Sequence, residues 1–333
     1  MLAVSKCKIC SGSLGHVLSV REMMYGTRDE FAYQQCHDCG CLQISEIPDN
    51  IAKYYPENYY SFDGSQKRKH WLRDLVRKYR SLYAINHQGW LGAFLCALKA
   101  PASIFQVYGR VGLTTEDSIL DVGGGGGGHV QTLHTLGFTR AIAIDPFIAS
   151  DITIDGHLVA KKADVFEMDG TFDLITFHHS FEHMERQREV LEKARNMLTE
   201  NGKLLIRIPT VNSEAFDKYG ANWSDLDAPR HFYLHSHKSI AVLVESVGLQ
   251  IDDLWCDSNS FQFWASEQYA ADIPLYDSRS YSQNPNESLF KAEQMAEFEA
   301  KSKSVNDNMR GDSICVLCSP SRIQQGSVTA REI

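Results

Sequence analysis

Between Ser118 and Leu317 the chain alternates short apolar runs with longer segments in which apolar residues recur every three or four positions. The runs Ile119–Val122, Ala141–Ile144, His157–Ala160, Leu174–Phe177, Lys203–Ile208, Gln250–Cys256 and Ser313–Leu317 have the length and composition of strands. The intervals fit helices, clearest over Glu185–Leu198, before the turn at Asn201-Gly202, and in SHKSIAVLVESVGL. Strands alternating with helices predict an α/β fold: a doubly wound, seven-stranded, mostly parallel sheet with helices on its faces. Upstream, Ser65–Gly112 has helical spacing and predicts a helical cap. Within it WLGAFLCAL, Trp90–Leu98, reads as a buried helix, well short of the roughly 20 residues that cross a bilayer. Asp257–Gly311, between the last two strands, exceeds a simple connection and reads as an irregular and helical insertion of the kind that covers a substrate.

Four of the nine cysteines fall as Cys7-x-x-Cys10 and Cys36-x-x-Cys39, two knuckles separated by 25 residues. In a chain expected to be cytoplasmic, this spacing predicts tetrahedral Zn2+ rather than disulfides. Four thiolates leave no open position, so the ion is structural and staples a segment too small to fold on its own. Cys41 is a competing ligand by position; Cys315, Cys318, Cys96 and Cys256 read as core residues. The expected organisation is a zinc-ribbon-like module over 1–45 and a tyrosine-rich linker and helical cap over 46–115. The α/β domain follows over 116–320 with its insertion at 257–311, and then a tail over 321–333.

Composition narrows the partners. With 33 Lys+Arg against 42 Asp+Glu the net charge is -9, which disfavours nucleic acid. The start MLAVSKCKIC has no apolar core before a cleavage site, hence the cytoplasmic expectation, and no run predicts a membrane span. Lys67, Arg68, Lys69, Arg73, Arg77, Lys78 and Arg80 form one basic stretch, read as a solvated helix face, with a site for an anionic group as the alternative.

Candidate chemistry centres on ILDVGGGGGGHVQTL, residues 119–133. An apolar strand enters the glycines and a helical pattern leaves them, so the run is a strand-to-helix loop at the end of a sheet where ligands bind. No Gly-Lys-Ser/Thr follows, which excludes a Walker-type phosphate loop, and six glycines satisfy G-x-G-x-x-G trivially. The flanks say more. Asp121, two residues before the first glycine, suits a cationic amino group; Asp145 ends the second strand, where a carboxylate can accept from both ribose hydroxyls; Asp164 follows the third strand, where a side chain can meet an adenine amine.

LDVGGGGGG, AIAID, ADVFE, FDLITFHHSFEH and NGKLLIRIPT, in order over Ser118–Ile208, resemble the class I S-adenosylmethionine (SAM)-dependent methyltransferases. APRHFYLHSHKSIAVLVESVGL extends the resemblance through a segment common in methyltransferases of polysaccharide clusters. The resemblance implies a Rossmann-like methyltransferase fold whose last strand is antiparallel, and SAM as cofactor. It places Asp121, Gly123, Gly125 and Gly127 against the methionine moiety, Asp145 at the ribose and Asp164 at the adenine, with Gly124 and Gly126 incidental.

Methyl transfer to a hydroxyl or carbon acid needs a base, and histidine suits neutral pH. Of thirteen histidines, His178, His179 and His183 cluster after the fourth strand and His231, His235 and His237 later. His179 and His231 are the expected bases, while His183 and Glu182 fix the loop. The two-knuckle module, CHDCGCLQ, the tyrosine-rich stretch and the core are together similar to sugar C-methyltransferases of nucleotide-linked keto-sugars. APRHF departs from that family, with Ala228 and Arg230 where it carries tyrosine and glutamate. The expected reaction is therefore O- or N-methylation of a small acceptor, a sugar or glycan-related metabolite that a nucleotide could carry. Arg230 would hold an anionic group, and Trp223 would be either a sugar-stacking surface or core. C-methylation of a keto-sugar, a non-catalytic SAM-binding scaffold and a dehydrogenase are the alternatives.

Overall fold

The apolar runs pair into one large sheet in a computed structural model that describes residues 6–56 and 71–321. The N-terminal segment forms β1 (Leu14–Arg21), β2 (Glu30–Cys36) and β3 (Leu42–Ile44), paired antiparallel in that order. The cap follows as α1 (Trp71–Asn86), α2 (Trp90–Leu98) and α3 (Ser103–Val111). The core then runs β4 (Ile119–Val122), α4 (Gly128–Leu136), β5 (Ala141–Ile144), β6 (Ile152–Ile154), β7 (His157–Lys161), β8 (Phe172–His178), α5 (Gln187–Asn196) and β9 (Leu198–Pro209). It ends with α6 (Glu214–Tyr219), β10 (Tyr233–Leu234), α7 (His237–Ser246), β11 (Leu249–Cys256), α8 (Phe261–Ala270), α9 (Ala292–Asp307) and β12 (Ser313–Pro320).

The large sheet has the order β11-β12-β9-β8-β4-β5-β7-β6. The five strands from β9 to β7 are parallel, and β12 inserts antiparallel between β9 and β11, as expected of the last strand. Central strands are buried on both faces, with Leu120, Ile175, Leu204, Leu205 and Ile206 at 0% exposure, which is why they read as continuous apolar runs.

Four expectations need correction. The sheet has eight strands, not seven, because β6 pairs antiparallel with β7 at the edge. Three residues are too few for an apolar run, but Asp155-Gly156, both at positive φ between Ile154 and His157, is a two-residue hairpin turn that the sequence signals. Asn201-Gly202 lies inside β9, where the pairing with β8 shifts register, instead of forming a turn between helix and strand. Helix α2 exists at the predicted bounds but turns its apolar side chains outward: Trp90 is 82% exposed, and only Gly92 is buried. The helix packs through that glycine, whose backbone lies so close to Tyr79 and Tyr83 of α1 that a Cβ would stand 2.5 Å from Tyr83.

The fourth concerns the N-terminal module, which is not a separate bead. β10 adds to the edge of β3, giving a four-stranded sheet β1-β2-β3-β10 that draws residues 233–234 of the core into the module. Lys67, Arg68, Lys69 and the tail beyond Ser321 lie outside the described residues.

Candidate active site

The glycine loop leaves β4 at its carboxyl end and enters α4. Gly123, Gly125 and Gly127 all have positive φ, a region that glycine enters without strain. A Cβ on Gly123 would stand 2.5 Å from Ser180, and one on Gly127 would stand 2.6 Å from Val159. Gly124 is equally constrained without positive φ, since a Cβ there would lie 2.6 Å from Oδ2 of Asp121 and 2.8 Å from Cβ of Ala143. The expectation that Gly124 is incidental is therefore corrected: the loop is packed against its own carboxylate and against β5.

Asp121, buried at the end of β4, accepts from the hydroxyl of Thr176 on Oδ1 at 2.8 Å, while Oδ2 has no partner among the described residues. Burial, with Asp145 adding to it and Thr176 opposing, pushes this carboxyl up to about 7. Asp145 accepts backbone N–H groups on both oxygens, from Gly125 at 3.0 Å and Phe147 at 2.8 Å, and burial raises its pKa. Asp164 caps the turn 165–167 through the N–H of Phe166 at 2.9 Å. All three acids line one cleft of 2210 Å³, closed by the cap helices and edged by Phe147 and Phe166. Arg77 and Lys78 of the basic stretch stand at its rim and are solvated, as expected.

The histidines end β8. His178 is half-buried, bonded through Nε2 to Tyr108 at 3.1 Å, and held well below its ordinary pKa by desolvation. The next residue, His179, has positive φ (50°), an unfavourable backbone for a non-glycine residue and one concentrated at functional loops. Its Nδ1 lies 3.6 Å from Oε1 of Glu182. His183 Nδ1 bonds the carbonyl of Arg230 at 2.8 Å and thus joins two loops, as expected of a fixing residue. His231 bonds the carbonyl of Asp225 through Nδ1 at 2.7 Å, and its Nε2 is 3.9 Å from Oε1 of Glu182. His179 and His231, 52 positions apart in sequence, thus share one carboxylate. His235 is fully committed to Ser239 and Gln187 inside the core.

A second cavity of 340 Å³ opens behind this cluster, with His179 and His183 lining both spaces. Its walls are Glu182, Asp225, Asp227 and His231 on one side, and Met24, Phe261, Tyr269, Leu275 and Tyr276 on the other. The insertion forms most of the second wall and is tied to the N-terminal module: Leu275 and Tyr276 donate N–H groups to the carbonyls of Met23 and Met24, and Tyr25 stacks on Tyr276.

Arg230, expected to hold an anionic group, does not, and Trp223 takes the second of its two readings. Arg230 is fully buried, its guanidinium bound by Asp227 through Nε at 2.9 Å and by Glu22 at 3.0 Å, so it pins the module to the core and has no charge left for a ligand. Trp223 is 1% exposed and donates Nε1–H to Asp312 at 3.0 Å; it is core. Of the counter-charges that decide this, Asp227 lies three positions before Arg230, but Glu22 carries no local sequence signal, lying 208 positions away.

The four knuckle cysteines meet as well. Sγ of Cys7 is 3.7 Å from that of Cys39, Sγ of Cys10 is 3.5 Å from that of Cys36, and all four lie within 4.8 Å of one another. Thiolates about 2.3 Å from a tetrahedral ion stand about 3.8 Å apart, so the set fits one. Contact with Cys39 draws Cys7 down to about 5. Cys41 points away, toward the carbonyl of Leu42, and Cys315 and Cys318 are buried in β12.

Residues 94–254 match the family model described as Methyltransferase domain. No curated protein matches the chain. Among solved structures the chain is similar to a SAM dependent methyltransferase from Archaeoglobus fulgidus (14% identity, 69% of this chain and 99% of that one, TM-score 0.39). It is also similar to the cyclopropane synthase MmaA2 from Mycobacterium tuberculosis (12%, 76% and 99%, TM-score 0.43) and to the CcbJ methyltransferase from Streptomyces caelestis (10%, 64% and 87%, TM-score 0.38). The family match makes residues 94–254 a methyltransferase domain, and the protein is a SAM-dependent methyltransferase on a mixed α/β fold with a large central sheet. Among the described residues no helix is long and apolar enough to cross a membrane.

Proposed function

We propose that the protein transfers the methyl group of SAM to a hydroxyl or amine of a small sugar- or glycan-related acceptor, with His179 and His231 as its nitrogen bases and a structural Zn2+ on Cys7, Cys10, Cys36 and Cys39. The observation that carries this is the wall bearing His179 and His183, which separates the large cleft from the smaller, carboxylate-rich cavity. In the cleft, the open Oδ2 of Asp121 suits the cofactor's ammonium group, Asp145 its ribose hydroxyls and Asp164 its adenine amine, beside the turns at Gly123, Gly125 and Gly127. SAM supplies a methyl already activated on a sulfonium.

The chain's work is to align the acceptor, exclude water and accept a proton. Glu182 and Asp227 are acceptors for the hydroxyl or ammonium donors of a bound molecule, and Phe261, Tyr269 and Tyr276 offer it apolar faces. A sugar presents both kinds of surface. His179 stands at the boundary of the two spaces, within reach of a proton leaving an acceptor oxygen or nitrogen. Incubation with SAM and a panel of free sugars, nucleotide sugars and lipid-linked glycans, read by mass, tests the reading. One added methylene on a polyhydroxylated acceptor supports it. SAM binding with every such acceptor unmodified overturns it.

A further inference from the structure

Glu182 is 0% exposed, yet neither carboxylate oxygen has a hydrogen-bond donor among the described residues. Around it stand imidazoles whose other nitrogens are already committed. His231 bonds the Asp225 carbonyl through Nδ1, and His183 bonds the Arg230 carbonyl through Nδ1. A carbonyl can only accept, so both Nδ1 atoms carry the proton and donate, and both Nε2 atoms keep a lone pair. His231 Nε2 faces Oε1 of Glu182 at 3.9 Å and Oδ2 of Asp227 at 3.8 Å, again acceptors. Ligand atoms of Glu182, His183 and His231 all lie within 4.8 Å of one another. A buried carboxylate and imidazole lone pairs converging without a donor lack a positive partner.

We propose that Glu182, His183 and His231 bind a divalent transition-metal ion in the wall between the SAM cleft and the acceptor cavity, distinct from the four-cysteine site. Two imidazoles and one carboxylate are a borderline donor set that suits Mn2+, Fe2+, Co2+, Ni2+ or Zn2+, and three protein ligands leave coordination positions open. The backbone carbonyls of Arg230 and Asp225 supply the outer hydrogen bonds that fix the tautomer and orientation of ligating histidines. An acceptor oxygen at an open position gives up its proton more readily. With the ion bound, Nε2 of His231 is a ligand and His179 accepts the proton; in the metal-free protein both imidazoles are bases. The ion site itself does not depend on the acceptor proposed above.

Co2+ tests it. The full chain, with its cysteine site loaded with Zn2+ and its metal content measured, is titrated with Co2+ and followed by calorimetry and visible absorption. A four-thiolate Co2+ site absorbs intensely through sulfur charge transfer, whereas a nitrogen and oxygen site gives only weak bands, so the two sites read separately. The expected result is one further equivalent bound without sulfur charge transfer. Binding should weaken at least tenfold in Glu182→Gln and in His231→Gln and be unchanged in His237→Gln, with SAM affinity in each variant reporting an intact fold. Absence of Co2+ binding beyond the cysteine site, or wild-type binding by folded Glu182→Gln and His231→Gln, overturns it. Neither result depends on whether an acceptor is methylated.

Discussion

Gly125 donates its backbone N–H to Oδ2 of Asp145 across 3.0 Å, which makes the glycine loop and the end of β5 a single unit. The same carboxylate holds Phe147 N–H, so Asp145 shapes the cleft from within while facing the proposed ribose position. Hydrogen bonds to a charged group contribute about 1.5–3 kcal/mol each. Asp145→Ala is expected to weaken SAM binding by about 10- to 100-fold in calorimetric titration and to lower Tm. Unchanged affinity would remove Asp145 from the cofactor site.

Alanine substitution along the glycine run separates packing from freedom. Gly124→Ala puts a methyl against Asp121 and Ala143, an overpacking cost of about 1–3 kcal/mol. Gly128→Ala meets nothing within 4 Å at the start of α4, where alanine is the better helix former. Thermal unfolding is expected to show Gly124→Ala destabilised and poorly able to bind SAM, with Gly128→Ala at least as stable as wild type.

Asp121 gives a pH signature. Its native pKa of about 7 lies above the usual carboxyl value of about 4. An acid raised in this way costs stability where the unfolded chain is ionised and the native one is not. Stability should therefore fall, by about 4 kcal/mol at most, as pH rises from about 4 through about 7, and level off above. A cationic amino group beside Oδ2 favours the ionised form, so SAM binding below this pKa is expected to release a proton and to tighten as pH rises to about 7. Calorimetry in buffers of different ionisation heat measures that proton. Asp121→Asn should abolish the release.

The cysteine site reaches the smaller cavity through two strands, β2 and β3. Tyr33 of β2 donates its hydroxyl to the carbonyl of His231 at 2.8 Å, and Ile44 N–H bonds the carbonyl of Phe232 at 3.0 Å. Cys36→Ser is therefore expected to lose the zinc of one ion per chain, to lower Tm and to reduce turnover more than SAM affinity. Cys41→Ala, whose thiol lies outside the cluster, should retain the zinc. Metal analysis of the two variants, beside SAM titration, checks both statements.

Local chemistry was legible in the sequence, and long-range pairing was not. Strand runs, Cys-x-x-Cys knuckles and the acids closing β4 and β5 are written in residues close together, and each stands where its pattern predicts. Arg230 read as a ligand because Glu22, which with the neighbouring Asp227 neutralises it, stands 208 positions away. Trp223 was ambiguous for the same reason, its partner Asp312 standing 89 positions away. Strand β6 is too short to show a period, and β10 takes its identity from the edge of β3 that it covers. The pairing of His179 with His231 across Glu182 follows from the loops that His183 and Arg230 join, which no local pattern encodes.

The most direct measurement is the split between kcat and SAM affinity in His179→Ala and His231→Ala, made with the polyhydroxylated acceptor that the wild-type enzyme methylates best. Loss of a proton-accepting imidazole should lower kcat by about 10²- to 10⁴-fold and leave the Kd for SAM within about twofold, because neither side chain is a partner of Asp121, Asp145 or Asp164. Undiminished turnover in both variants, or loss of SAM binding in either, would contradict the assignment of this wall to methyl transfer.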